Sequence, residues 1–123
     1  MPFIKEDDLP KMELFPGARS GLVAGQQLML SFLVMEPGSR VPEHSHPHEQ
    51  AGLMLAGRLR FRIGGEERVL EPGDAFLVPP DMVHSGEVLE GPARVLDIFS
   101  PPREDYRERY NHYTQTSKET RWQ

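Results

Sequence analysis

Arg58, Arg60 and Arg62 alternate with Leu59, Phe61 and Ile63. This period of two puts apolar side chains on one face of a strand and polar ones on the other. Residues 27–35, QLMLSFLVM, are apolar on both alternating faces instead, as expected of a strand covered by a layer on each side. Glu36-Pro37-Gly38 ends that run with turn chemistry, and Gly64-Gly65 supplies a hairpin turn after the arginine strand. Residues 52–56, 68–70, 75–78, 86–89 and 94–99 complete the predicted set, broken by EPGD, VPPD and EGPA. Strands and turns recurring at roughly ten-residue spacing predict an all-β, antiparallel sandwich or barrel.

A helical pattern follows Pro101-Pro102, in REDYRERYNHY, with Ser100 as a candidate cap and Tyr106 and Tyr110 four apart on one face. The remaining TQTSKETRWQ is polar and is expected to fray. The expected organisation is an N-terminal arm with a first short strand over 1–24, a barrel over 25–100, and a helix with a polar tail over 101–123. No internal repeat is visible.

Composition narrows this picture. At 123 residues the chain fits one domain, and 11 Gly with 12 Pro leave few windows for long helices. A formal charge of -5, from 14 basic and 19 acidic side chains, argues against nucleic acid or an anionic membrane as the main partner. There is no cysteine, so any metal site must use nitrogen and oxygen ligands. The opening MPFIKEDDLP has neither the basic start nor the apolar run of a secretory signal, and a cytoplasmic protein is expected.

The candidate chemistry sits in PEHSHPHEQ, residues 42–50. Positions two apart on a strand share a face, so His44 with His46, or His46 with His48, could present nitrogens to one ion. Parity alone does not choose between the pairs. Pro47 interrupts regular pairing, which puts His44 and His46 on an incoming arm and Gln50 at the start of the next strand. His84, after VPPDMV, is a candidate closing ligand from another strand. A lone histidine is usually a surface or satisfied core residue, but an H-x-H pair with a third histidine in a proline-rich turn makes a metal site a serious reading.

The same residues carry a resemblance. Gly38, His44, His46, Gln50 and Gly57 fall at the spacings of the first motif of small single-domain cupins, G-x5-H-x-H-x3-4-E-x6-G, with Gln50 in place of glutamate. Starting from His46 and His48 would put Arg40 at the first glycine. Gly73, Pro79 and His84 match the second motif, with Asp81 at its second glycine and Val88 at its asparagine. The resemblance covers about residues 25–100 and implies a jelly-roll barrel with His44, His46, Gln50 and His84 holding one divalent ion, whether Zn, Ni, Fe, Mn or Cu. Three neutral imidazoles and one amide would leave that ion its full charge, which suits Lewis-acid chemistry. His48 and Glu49 then belong to the rim.

The run Asp97-x-Phe99-x3-Arg103, with Gln50, resembles more narrowly the pectin-degradation cupins that linearise unsaturated uronates. That resemblance implies an enzyme with Asp97, Phe99 and Arg103 in its active site. Its reaction would convert cyclic 4,5-unsaturated uronates, from pectin or alginate, to linear 4-deoxy-5-keto-uronates without redox change. Such a ring opening needs a base for the anomeric hydroxyl, stabilisation of the departing ring oxygen and a proton for C4. Asp97, beside a cation, is expected to stay ionised, and Arg103 offers a planar fork for the uronate carboxylate. The plainer readings are an Asp97 that only orients a ligand, a solvated Arg103 among the charges of the helix, and Arg58, Arg60 and Arg62 as an exposed strand face rather than a pocket wall. Two other functions compete: a non-catalytic module binding a sugar or small acid, and a metal-dependent oxygenase. The apolar faces of residues 27–35 further predict a homodimer formed by sheet packing.

Overall fold

Two bent strands organise the molecule, for which a computed structural model describes residues 3–122. In chain order the strands are β1 (Met12–Phe15), β2 (Ala18–Ala24), β3 (Met29–Met35), β4 (Arg40–His44), β5 (Glu49–Ile63), β6 (Glu66–Leu70), β7 (Ala75–Val78) and β8 (His84–Ser100), followed by helix α1 (Glu104–Trp122). All pairings are antiparallel, in the order β1-β2-β3-β8-β5-β6, with β4 on β8 and β7 on β5. The all-β class with one C-terminal helix is as the sequence pattern predicts.

The pattern divides β5 into two strands at Gly57 and β8 into two at Glu90-Gly91-Pro92-Ala93, whereas each is continuous. Glycine and proline inside a strand of a curling sheet mark a bend, not an end. Gly57 has φ +80°, and a Cβ there would stand 2.6 Å from the Glu90 carbonyl oxygen, so the two long strands press together at their bends. The β5–β8 register also shifts between Met54 and Leu59. The first half of β5 therefore pairs with β7 and the second with β6, while β8 serves β3 with one half and β4 with the other. One strand pair thus contributes to both layers of the barrel. Two strands precede residue 25 where the sequence pattern predicts one short strand, because MELF and ARSGLVA lack a clear alternation.

Met35, Met54, Leu59, Phe61, Val78, Val88 and Val95 fill one end of the interior. Met12, Leu22, Met29, Phe99 and Tyr110 form a second cluster under α1. Tyr106 and Tyr110 do share the inward face of the helix, and Tyr110 donates its hydroxyl to Pro10 O at 2.8 Å. Ser100 does not cap the helix: its Oγ donates to Gln27 O at 2.7 Å, and α1 begins four residues later with Glu104 and Asp105 in its first turn. The helix extends beyond the predicted segment, and Gln123, the end of the polar tail, lies outside the described residues. No helix among the described residues is long and apolar enough to cross a membrane.

Candidate metal centre and its facing wall

His44 closes β4 and His84 opens β8, and the two are direct partners across the ladder. Their ring centroids are 4.2 Å apart, and His46, from the turn after β4, brings its ring to 5.0 Å from His84. One nitrogen from each of the three lies within 4.8 Å of the others. The VPPD turn is tied to this cluster by Asp81 N–H donating to His46 O at 2.8 Å. Asp81, at the second-motif glycine, takes φ 66°, a left-handed conformation that aspartate tolerates better than most side chains. The departure from glycine therefore leaves the turn intact.

The hydrogen bonds assign the ring protons. His44 Nδ1–H donates to Pro42 O at 2.8 Å and His84 Nδ1–H to Met82 O at 2.9 Å. A carbonyl only accepts, so in each neutral ring the lone pair lies on Nε2. His84 Nε2 is buried without a hydrogen-bond partner, an arrangement that costs stability unless something accepts that lone pair. His46 Nε2–H donates to Gln50 Oε1 at 3.1 Å, which leaves the lone pair on Nδ1, an atom without a partner. The residues fit a divalent ion held by three imidazoles, with Gln50 Oε1 beside them.

Burial holds the His46 and His84 rings neutral. Desolvation, with help from the charges of Arg103 and His84, lowers the His46 pKa to about 4, and desolvation also lowers that of His84. His48 is half-buried and outside the cluster, its ring 5.4 Å from His46, and Glu49 is exposed.

Asp97, Phe99 and Arg103 line the same cavity as His44, Gln50 and His84, a space of about 500 Å³ including its mouth. Asp97 and Phe99 alternate with half-buried neighbours on the inner face of β8, as the period of two requires. Gln50 links the two walls: its Nε2 donates to Asp97 Oδ1 at 3.2 Å while its Oε1 faces His46. The expectation that Asp97 stays ionised is tied to a cation beside it, and the protein's own groups act differently. Burial raises its pKa to about 7, outweighing the Gln50 hydrogen bond and the Arg103 charge that pull it down.

Arg103 is 8% exposed, which rules out the solvated reading. Arg58 and Arg60 instead pair with Glu90 and Glu87 at 3.0 and 3.1 Å on the outer sheet face, and Arg62 is exposed beside them. Two polar cavity residues, Ser31 and Tyr106, are not assigned to the site by the sequence pattern. Ser31, directly opposite Asp97 in the β3–β8 ladder, hydrogen-bonds to Ser20 Oγ at 2.7 Å. Its signal was a single polar residue on the inward face of an apolar run. Tyr106, three residues after Arg103, was legible only as a helix-packing residue.

Residues 31–99 match the family model described as a cupin domain. The chain belongs to the cupin family. This cupin is 30% identical over 103 residues to the pectin degradation protein KdgF of Dickeya dadantii (strain 3937), covering 82% of this chain and 94% of that protein. Its fold is similar to the structure of KdgF from Halomonas sp., with a TM-score of 0.80 and 31% identity, covering 85% of this chain and 98% of that one. An RmlC-like cupin from Shewanella frigidimarina NCIMB 400 superposes with a TM-score of 0.81 at 26% identity, covering 86% and 96%.

Proposed function

We propose that this cupin opens the ring of cyclic 4,5-unsaturated uronates, giving linear 4-deoxy-5-keto-uronates. The observation that carries the reading is the pairing of a three-histidine cluster with a buried carboxyl and a buried guanidinium around one cavity. Similarity to two KdgF proteins, one of them named for pectin degradation, supports the same substrate class.

In this mechanism Arg103 receives the substrate carboxylate, the one anionic group every uronate carries. Phe99 offers its apolar ring to the sugar beside that contact. Asp97 takes the proton of the anomeric hydroxyl, the C1 carbonyl forms, and the C1–O5 bond breaks. Electrons then sit on an enolate spanning O5, C5 and C4. Returning the proton to C4 leaves a ketone at C5, so one proton leaves and one arrives with no redox change. A carboxyl that titrates near neutrality is suited to both transfers. Gln50 keeps the Asp97 carboxyl oriented through its amide. A divalent ion held by His44, His46, Gln50 and His84 supplies Lewis-acid polarisation of substrate oxygens.

The test is anaerobic NMR of 4,5-unsaturated galacturonate with metal-loaded protein, beside Asp97→Ala. Rapid loss of the C4 vinyl proton with the wild type alone supports the reading. A spontaneous rate in both, with metal bound, would sink it in favour of a binding module or an oxygenase.

The working unit in this proposal is a homodimer. Leu30 and Phe32 of β3, Leu96 and Ile98 of β8, Leu53 of β5 and Leu77 of β7 lie side by side on the outer sheet face, and Leu77 is 69% exposed. Lys11 Nζ stands over the Phe32 ring at one edge of this strip, and the apolar side chains of the remaining strands suit the same strip of a second copy. Light scattering that reports a monomer at micromolar concentration would remove this part of the proposal.

A further inference from the structure

Arg103 is locked on two sides before any ligand arrives. Its guanidinium carbon lies 3.7 Å from the centroid of the Tyr106 ring and 5.2 Å from that of Phe99. Those two rings meet edge to face, with centroids 5.9 Å apart and planes at 86°. Along one edge, Nε donates to Asp105 Oδ1 at 3.3 Å and Nη2 to Asp105 Oδ2 at 2.8 Å. A guanidinium has two edges that can grip a carboxylate. Asp105 occupies the Nε edge, which leaves the end formed by the two Nη atoms.

The lock belongs to α1, and α1 is tied down elsewhere. Tyr110 and Tyr113 donate their hydroxyls to Pro10 O and Lys11 O at 2.8 and 3.0 Å, and Arg109 donates to Glu13 O at 3.0 Å. The helix is therefore fixed to the segment leading into β1, and Tyr106 rides on it as a rigid plate beneath the arginine. A long, flexible side chain held in this way has already lost the rotamer freedom that it would otherwise surrender on binding.

We propose that Tyr106 is a positioning residue that acts through Arg103 and makes the cavity selective for a free carboxylate over its ester. The proposal rests on the uronate reading above. Stacking holds the plane of the fork, and Asp105 sets its rotation within that plane. Together they aim one end at the bound acid. An ester lacks the second anionic oxygen that a fixed fork rewards, so loosening the lock weakens binding of the acid and leaves the ester alone.

The experiment compares steady-state kinetics on 4,5-unsaturated galacturonate and its methyl ester for wild type, Tyr106→Phe, Tyr106→Leu, Asp105→Asn and Arg103→Leu. Tyr106→Leu is expected to raise KM for the acid on the order of 10-fold with kcat nearly unchanged, as loss of a desolvated cation–π contact predicts. KM for the ester should stay put, and Tyr106→Phe, which keeps the ring, should behave as wild type. The Asp105 side chain is 56% exposed, so Asp105→Asn disturbs the fold little, and a smaller rise in the acid KM is expected from it even if Tyr106→Leu does not fold. Wild-type acid KM in the folded Tyr106 and Asp105 variants, with Arg103→Leu impaired, would overturn the lock while leaving the uronate reading standing. An acid-over-ester preference that survives Arg103→Leu would overturn the lock, whereas wild-type turnover no faster than the spontaneous rate would overturn the uronate reading on which it rests.

Discussion

Gln50 donates its amide N–H to Asp97 Oδ1 across 3.2 Å while its own oxygen stands 3.1 Å from His46 Nε2. A neutral amide can face a histidine nitrogen with one end and a carboxyl with the other, because it carries both an acceptor and a donor. A glutamate at this position would offer only acceptors when ionised.

Gln50→Glu should therefore set two carboxyl groups against each other and raise the titration midpoint of the pair. It should also remove part of the net positive charge of the centre. Metal content measured by elemental analysis should persist, while kcat for uronate opening falls roughly 10-fold or more. An unchanged rate would mean that the amide has no part in holding Asp97.

Asp97 also makes a stability prediction. Its carboxyl binds a proton more tightly in the folded chain, at about 7, than at its ordinary value of 3.8. A raised pKa means that this group's contribution to stability is fully present below about 3.8 and is lost as pH rises through about 7. In metal-stripped protein, Asp97→Asn should melt higher than wild type at pH 8, and the difference should shrink steadily toward pH 4. Parallel melting curves at both pH values would show that burial does not control this group.

His84 Nε2 has no partner and sits in the cluster with His44 and His46. Adding a divalent transition metal to stripped protein should raise the melting temperature, since a ligand of the native state stabilises it by mass action. His84→Ala should abolish that rise. An equal rise in the variant would move the ion elsewhere.

Gly57 is the bend of β5. Alanine there meets both a positive φ and the Glu90 carbonyl at 2.6 Å, and Gly57→Ala should cost about 1–3 kcal/mol in a denaturant titration. A midpoint equal to that of wild type would show that the two long strands can separate at the bend without loss.

The period of two in residues 58–63 is a local property of the backbone, and it was enough to find the inner face of β5 there. The spacing of His44, His46, Gln50 and His84 identified four residues that meet in space because each lies at or near the end of a strand whose partner the sheet dictates. Local parity did not choose between His44 and His48 as the partner of His46, or tell a bend from a turn at Gly57 and Gly91. Those outcomes depend on which strands pair on either side. Tyr106 became a site residue only because α1 packs over the open end of the barrel, and Arg103 became buried for the same reason. The protonation of Asp97 likewise belongs to the tertiary structure: the sequence names the carboxyl, but the opposition between desolvation and the pull of Gln50 and Arg103 exists only once the fold buries all three around one cavity.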